Sequence, residues 1–193
     1  MTRTGPVLLL AALLIGAAAL CLDDLSPDAV HINDFETSGD LDGIEWKCRT
    51  WFELSDRHVA SGAHSLMADL PPGKYPGITF PDLPVRNWNP YDRLSIQVAH
   101  DGEEDLMLVV RIDDADSGYD YGQRANLYVR IRPGPNRIEV PIARIRESPS
   151  RRPLDTANIN RVILFLYNTS QRQVLYLDDF KLEKKQRWPG TRR

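Results

Sequence analysis

Two segments in the middle of the chain carry side chains suited to holding a polar ligand. Read with a period of two, residues 105–113 put Leu106, Leu108, Val110 and Ile112 on one face and leave Arg111 and Asp113 on the other. Residues 124–132 alternate in the same way. Ala125, Leu127, Val129 and Ile131 point to one side, and Arg124, Asn126, Tyr128, Arg130 and Arg132 to the other. Tyr119 and Tyr121 sit in the loop between the two segments. Planar polar groups pair with hydroxyls, and flat aromatic rings cover the apolar faces of a pyranose. Arg111, Asp113, Asn126 and Arg130, with Tyr119, Tyr121 and Tyr128, supply both. The same residue types also make an ordinary solvated sheet face. Trp51 has outward parity among charged neighbours, so it is either a further ligand platform or a contact for a covering loop. Trp88 lies in a proline-bounded loop. Packing is the plainer reading for both tryptophans.

Other chemistries find less support. Asp113, Asp114, Asp116 and Asp120 are close in sequence, but glycoside hydrolysis needs two carboxyl groups at a fixed separation across a cleft, one with a raised pKa. A run of acids in a loop is more often solvated or a cation site. His31, His58, His64 and His100 show no metal-binding spacing, no serine sits in a nucleophile elbow, and no glycine-rich phosphate loop occurs. The two cysteines, Cys21 and Cys48, make no disulfide framework, and Cys48 reads as a small core residue. Asn168-Thr169-Ser170 fits a glycosylation sequon that matters only in a eukaryote. The chain reads as a non-enzyme.

The elements that must position these residues are strands and turns. Prolines and glycines recur at short intervals, and no stretch holds a 3.6-residue apolar period. The pattern predicts strands over 30–35, 45–54, 65–70, 77–80, 93–100, 105–113, 124–132, 137–142, 162–167 and 174–182, with turns at Asp101-Gly102 and at 133–136 and a polar loop at 148–155. Residues 162–167 are apolar on both faces, which marks a central buried strand. About ten short strands at this spacing indicate an all-β antiparallel two-sheet sandwich with Greek-key connections.

The 193 residues allow one domain of ordinary size, with 42% hydrophobic and 26% charged residues. The net charge of −3 gives no reason to expect a nucleic-acid partner. Ahead of the sandwich, Arg3 precedes an apolar run over 7–22, followed by Asp23 and Asp24. Residues 1–25 therefore read as a signal peptide or membrane anchor, placing the rest outside the cytoplasm. Ala17-Ala18-Ala19 offers small residues for cleavage. Lipidation at Cys21 is a further option, against which Leu20 counts because it is not small. The sandwich occupies 29–183, and a basic tail over 184–193 reads as a frayed terminus.

A first strand ending in Asp34-Phe35-Glu36 opens the domain, and Asn89-Pro90-Tyr91-Asp92-Arg93-Leu94 leads into a core strand. Arg111-Ile112-Asp113-Asp114 is followed by Gly118-Tyr119-Asp120-Tyr121, and Tyr176-Leu177-Asp178-Asp179-Phe180-Lys181-Leu182 closes the domain. Over about 29–183 this series resembles the galactose-binding-like jelly roll of many carbohydrate-binding modules, and in particular the domains of that type found beside VanZ-like membrane proteins. The resemblance implies neighbouring first and last strands. It also implies a structural calcium there, with Glu36 and Asp178 as ligands and Asp179 as a substitute; solvated or hydrogen-bonded edge carboxylates are the alternative. It further implies a non-catalytic domain of the bacterial envelope that binds a polysaccharide or oligosaccharide on a concave sheet face. The expected location is periplasmic, extracellular, or anchored to the outer face of the inner membrane. An envelope structural or assembly protein, using the sandwich to bind a protein partner, is the competing reading, and a glycan-active enzyme is a third.

Overall fold

The computed structural model of the protein describes residues 27–185. The expected export or anchor segment at 1–25, with Cys21, lies outside the described residues, as does the tail from 186 on. No helix among the described residues is long and apolar enough to cross a membrane.

Short alternating segments form the strands. They are β1 (Ala29–Asn33), β2 (Glu45–Lys47), β3 (Trp51–Ser55), β4 (Ser65–Leu70), β5 (Gly77–Phe80), β6 (Arg93–His100), β7 (Leu106–Asp114), β8 (Ala125–Ile131), β9 (Gly134–Pro141), β10 (Ile159–Leu166) and β11 (Gln173–Glu183), with one short helix, α1 (Ile142–Glu147), between β9 and β10. They make two antiparallel sheets. One has the order β3-β4-β11-β6-β9, with β1 added to β11, and the other β2-β5-β10-β7-β8. From β4 onward the chain crosses from one sheet to the other at every connection except the β7–β8 hairpin. Each sheet therefore buries its inward parity against the other. Leu94, Ile96 and Val98 of β6, Leu108, Val110 and Ile112 of β7, and Val162 and Leu164 of β10 all enter one core. Burial of each such side chain stabilises by about 1.5–3 kcal/mol. Trp88 is fully buried, and its indole N–H donates to the Val85 carbonyl at 3.0 Å, so it packs as expected.

The first and last strands are neighbours, paired from Ala29 opposite Glu183 to Asn33 opposite Phe180. The closing Leu-Asp-Asp-Phe depends on a bulge. Leu177 and Phe180 are three apart, which in a regular strand sets them on opposite faces. Asp179 adopts the left-handed conformation with φ of 50°, and the register against β6 shifts between Asp178 and Lys181. The extra residue resets the parity, and both Leu177 and Phe180 are buried in the core.

Three expectations need correction. Residues 45–54 are not one strand. Cys48 and Arg49 take positive φ values of 55° and 63°, and this corner sends β2 to one sheet and β3 to the other. Cys48 consequently points to solvent rather than into the core. Residues 142–147 are helical, a single turn and a half that buries Ile142 and Ile145 and is too short to show a period in the sequence.

Beyond β7 the loops are tied by one buried carboxylate. Asp114 is 1% exposed and accepts two hydrogen bonds from Arg152, both at 2.6 Å, one from the Asp155 backbone N–H at 2.7 Å and one from Ser117 at 2.8 Å. Burial alone would raise its pKa. The hydrogen bonds from Arg152, Asp155 and Ser117, with the Arg152 charge, outweigh burial and pull it from 3.8 to about 2. The shift corresponds to on the order of 2 kcal/mol of stability that is present above pH 4 and is lost as the pH falls towards 2. Asp114→Asn should lower the melting temperature by several degrees at pH 7 and flatten the acid limb of the stability curve between pH 4 and pH 2. Thermal unfolding monitored by circular dichroism across that range checks both effects.

Candidate functional site

The outer face of the five-stranded sheet has an unusual floor. β10 sends Val162, Leu164 and Leu166 into the core, yet Ile163 and Phe165, on the opposite parity, are also buried, at 4% and 7% exposure. With Val109 of β7 they form a second apolar cluster, against which Tyr75 packs. Register aligns the cluster into a row across four strands: Gly77 of β5 faces Phe165, Phe165 faces Val109, and Val109 faces Tyr128 of β8. Three strand spacings make this row about 14 Å long. A Cβ on Gly77 would clash with the Leu164 carbonyl oxygen and stand 2.5 Å from the Phe165 Cβ, so only glycine lets β5 approach β10 this closely. Aromatic rings continue the row at both ends. Tyr75 meets Phe165 edge-on with centroids 5.6 Å apart and Tyr167 at 5.8 Å. At the other end the Tyr128 and Tyr121 hydroxyls are hydrogen-bonded at 2.8 Å. That bond, and then burial, raise the Tyr128 pKa.

One step along the strands the face becomes polar. Thr79, Ile163, Arg111 and Asn126 form the next row. Asp113 is 1% exposed and accepts from Arg111 at 2.7 and 2.6 Å and from Arg161 Nε at 2.8 Å. The buried carboxylate holds both guanidinium groups by charge-assisted hydrogen bonds. Lys47 of β2 reaches over the floor, its ammonium 5.3 Å from the Phe165 ring centroid and 5.9 Å from that of Tyr75. Arg124 stacks over Tyr121 at 5.5 Å.

Of the residues expected at a ligand face, Arg111, Asp113, Asn126 and Tyr128 thus lie together, with Tyr121 beside them. Arg130 is further along β8, 3.5 Å from Asp105 at the surface. Tyr119 is fully exposed in its loop. Trp51 stands on β3, at the edge of the other sheet, and is 55% exposed. It takes no part in this face. Phe165, Ile163, Val109, Tyr75, Lys47 and Arg161 were not foreseen there. The signal for the first three was the apolar outward parity of β10 and of Val109. Tyr75 and Lys47 had none, because a loop and a sheet switch place them. The four clustered aspartates offer no free pair of carboxyl groups. Asp113 and Asp114 are buried on arginines on opposite faces of β7. Asp120 accepts from the Gly122 N–H and pairs with Arg151.

The outer face of the six-stranded sheet is of a different kind. Arg93, Arg137 and Lys181 are neutralised by Glu139, Glu183 and Asp179 in pairs of 2.7–3.4 Å. The carboxylates expected to hold calcium belong to this region. Asp178 accepts from the backbone N–H groups of Ala60 at 2.6 Å, Ser61 at 2.9 Å and Asp179 at 2.6 Å. Glu36 accepts from Ala63 at 2.8 Å, and Asp179 pairs with Lys181 and His31. Burial, and then the Asp179 charge, leave the Asp178 pKa raised despite those donors. Calcium takes oxygen ligands, whereas N–H groups face these carboxylates. Among the described residues no group of three or more His, Cys, Asp or Glu side chains is placed to hold a metal ion. Asp178 ties the 60–61 backbone to β11, and Glu36 ties residue 63 to the segment after β1. A loop held this way should melt at the same temperature in EDTA as in excess calcium, while Glu36→Ala should lower the melting temperature in both. A calcium-dependent rise, lost in Glu36→Ala, would restore the metal.

No protein-family model matches the chain. No curated protein matches it either. Solved structures do. The family 11 carbohydrate-binding module from Clostridium thermocellum, in complex with a β-1,3-1,4-mixed-linked tetrasaccharide, superposes with a TM-score of 0.62 at 15% identity, covering 82% of this chain and 97% of that one. An exo-β-agarase matches with a TM-score of 0.63 at 12% identity over 82% of this chain and 25% of its own. The CBM22-1 and GH10 modules of Clostridium thermocellum xylanase 10B, complexed with xylohexaose, match with a TM-score of 0.56 at 13% identity over 81% and 28%. This chain spans about a quarter of the latter two proteins. Likeness at such identities carries the fold alone: the two antiparallel sheets form a jelly-roll sandwich that superposes on those structures.

Proposed function

We propose that this protein is a non-catalytic carbohydrate-binding domain that holds a polysaccharide or oligosaccharide along the outer face of the five-stranded sheet. The observation that carries the reading is the aligned row of Tyr75, Phe165, Val109, Tyr128 and Tyr121 with a fixed polar row beside it. Tyr121 and Tyr128, about half exposed, and the partly exposed Tyr75 offer flat apolar surface for sugar rings, with Phe165 and Val109 buried beneath as their support. Arg111, Arg161 and Asn126 offer planar donors and acceptors for hydroxyls. Similarity of fold to modules solved with a tetrasaccharide and with xylohexaose supports the same reading. We place the domain outside the cytoplasm, in the periplasm or at the outer face of a bacterial membrane, because of the apolar run behind Arg3.

Affinity electrophoresis through a panel of soluble polysaccharides, followed by calorimetry on the best of them, tests the proposal. Tyr128→Ala should weaken binding about tenfold, as expected for loss of one stacking contact in a desolvated site. Trp51→Ala, on the other sheet, should leave it unchanged. Loss of binding in the Trp51 variant alone would move the site to the six-stranded sheet. Retention by no glycan, together with a co-purifying protein released by Tyr128→Ala, would favour the assembly reading.

A further inference from the structure

The face described above carries more positive charge than it neutralises. Arg111 and Arg161 share one carboxylate, Asp113, through bonds of 2.6–2.8 Å. Lys47 and Arg124 point at the same area and have no carboxylate partner among the described residues; each lies only over an aromatic ring. The Arg124 Nε is buried and has no hydrogen-bond acceptor. Glu45 shares the face of β2 with Lys47 but is exposed and pairs with none of these groups. With Lys74, whose ammonium is 5.4 Å from the Tyr75 ring centroid, five cations thus stand on this face, and only Arg111 and Arg161 are paired, with the buried Asp113. The groups also feel one another. Burial first, and then the charges of Arg111, Arg124 and Arg161, lower the Lys47 pKa, and burial followed by Arg111 lowers that of Arg124. Like charges gathered over an apolar floor cost free energy in the unliganded protein. The opposite sheet shows what the chain does where it is not constrained in this way: its arginines and lysine are paired with glutamates and an aspartate.

We infer, resting on the glycan-binding reading, that the ligand is an acidic glycan. A carboxylate or sulfate on the sugar would occupy the space between Arg124 and Lys47 while the ring packs on the exposed Tyr128 and Tyr121. An anion there pairs with the Arg124 guanidinium charge and relieves its repulsion with Lys47. The exposed tyrosines set this site apart from a simple polyanion patch, because they contribute only when a ring lies on them.

The experiment is calorimetric titration of the folded domain with oligogalacturonate and with its methyl ester, which keeps the rings and removes the charge. A sulfated galactan oligosaccharide and its desulfated form are run in parallel, and inorganic polyphosphate serves as an anion without rings. At least one acidic form should bind about tenfold or more tighter than its uncharged counterpart, as one charge-assisted hydrogen bond in a partly buried site provides. That preference should shrink with added salt. Arg124→Gln should abolish most of the preference while leaving the weaker binding to the uncharged form. Lys47→Met is the second variant, at a separate strand, should Arg124→Gln fail to fold by circular dichroism. Equal binding of charged and uncharged forms, unmoved by either variant, would overturn the acidic ligand and leave the glycan reading standing. Polyphosphate binding as tightly as the best glycan would also overturn it. No binding to any of the glycans would remove both readings.

Discussion

Over residues 162–166 the strand at the middle of the five-stranded sheet has no polar side to give to water. β10 must bury Val162, Leu164 and Leu166 in the core and also cover Ile163 and Phe165 on the face turned away from it. The second requirement organises that face. Val109 lies beside Phe165 in register, Gly77 withdraws its side chain to make room, and Tyr75 folds over from the preceding loop. Nothing in the sandwich itself needs this second apolar cluster. A fold of this size is held by the large core between the sheets, and an apolar floor outside that core has to be roofed by whatever the neighbouring strands can extend over it. Long amphipathic side chains do this well, because their stems cover carbon while their heads stay wet. Lys47 does so here.

Charge on this face follows from the same geometry. A carboxylate as buried as Asp113 is tolerated only when it is paired, and two arginines from adjacent strands pair it. Each guanidinium is thereby held in place by a buried partner. Pre-organisation of this kind removes the rotamer entropy that a free arginine loses on binding. The buried acid therefore acts as a positioning residue: it contacts no solvent and sets the donors that do.

Parity made much of this legible. The alternation over 105–113 and 124–132 placed Arg111, Asp113, Asn126 and Tyr128 on one surface, and the doubly apolar 162–167 marked the central strand. The juxtaposition of first and last strands rested on likeness to jelly rolls, and β1 does pair with β11. What could not be read was where parity breaks. The corner at Cys48 and Arg49 uses two left-handed residues, neither of them glycine, so the chain changes sheets without a turn signal. That hid Lys47 from the face to which it belongs and gave Trp51 a parity continuous with a strand it does not share. The bulge at Asp179 is hidden for the same reason. In both places a tertiary demand overrides a local preference.

The ends of the sheets limit how such a surface can behave in company. β9 borders the six-stranded sheet and carries Pro135 and Pro141, which have no N–H to offer a further strand. β2 borders the other sheet and is three residues long, cut off by the Cys48–Arg49 corner. Both borders are poor templates for adding a strand from another molecule. The protein is thus guarded against edge-to-edge pairing at β2 and β9, whereas β8, seven residues without proline, leaves the border beside the aromatic rings open to a further strand.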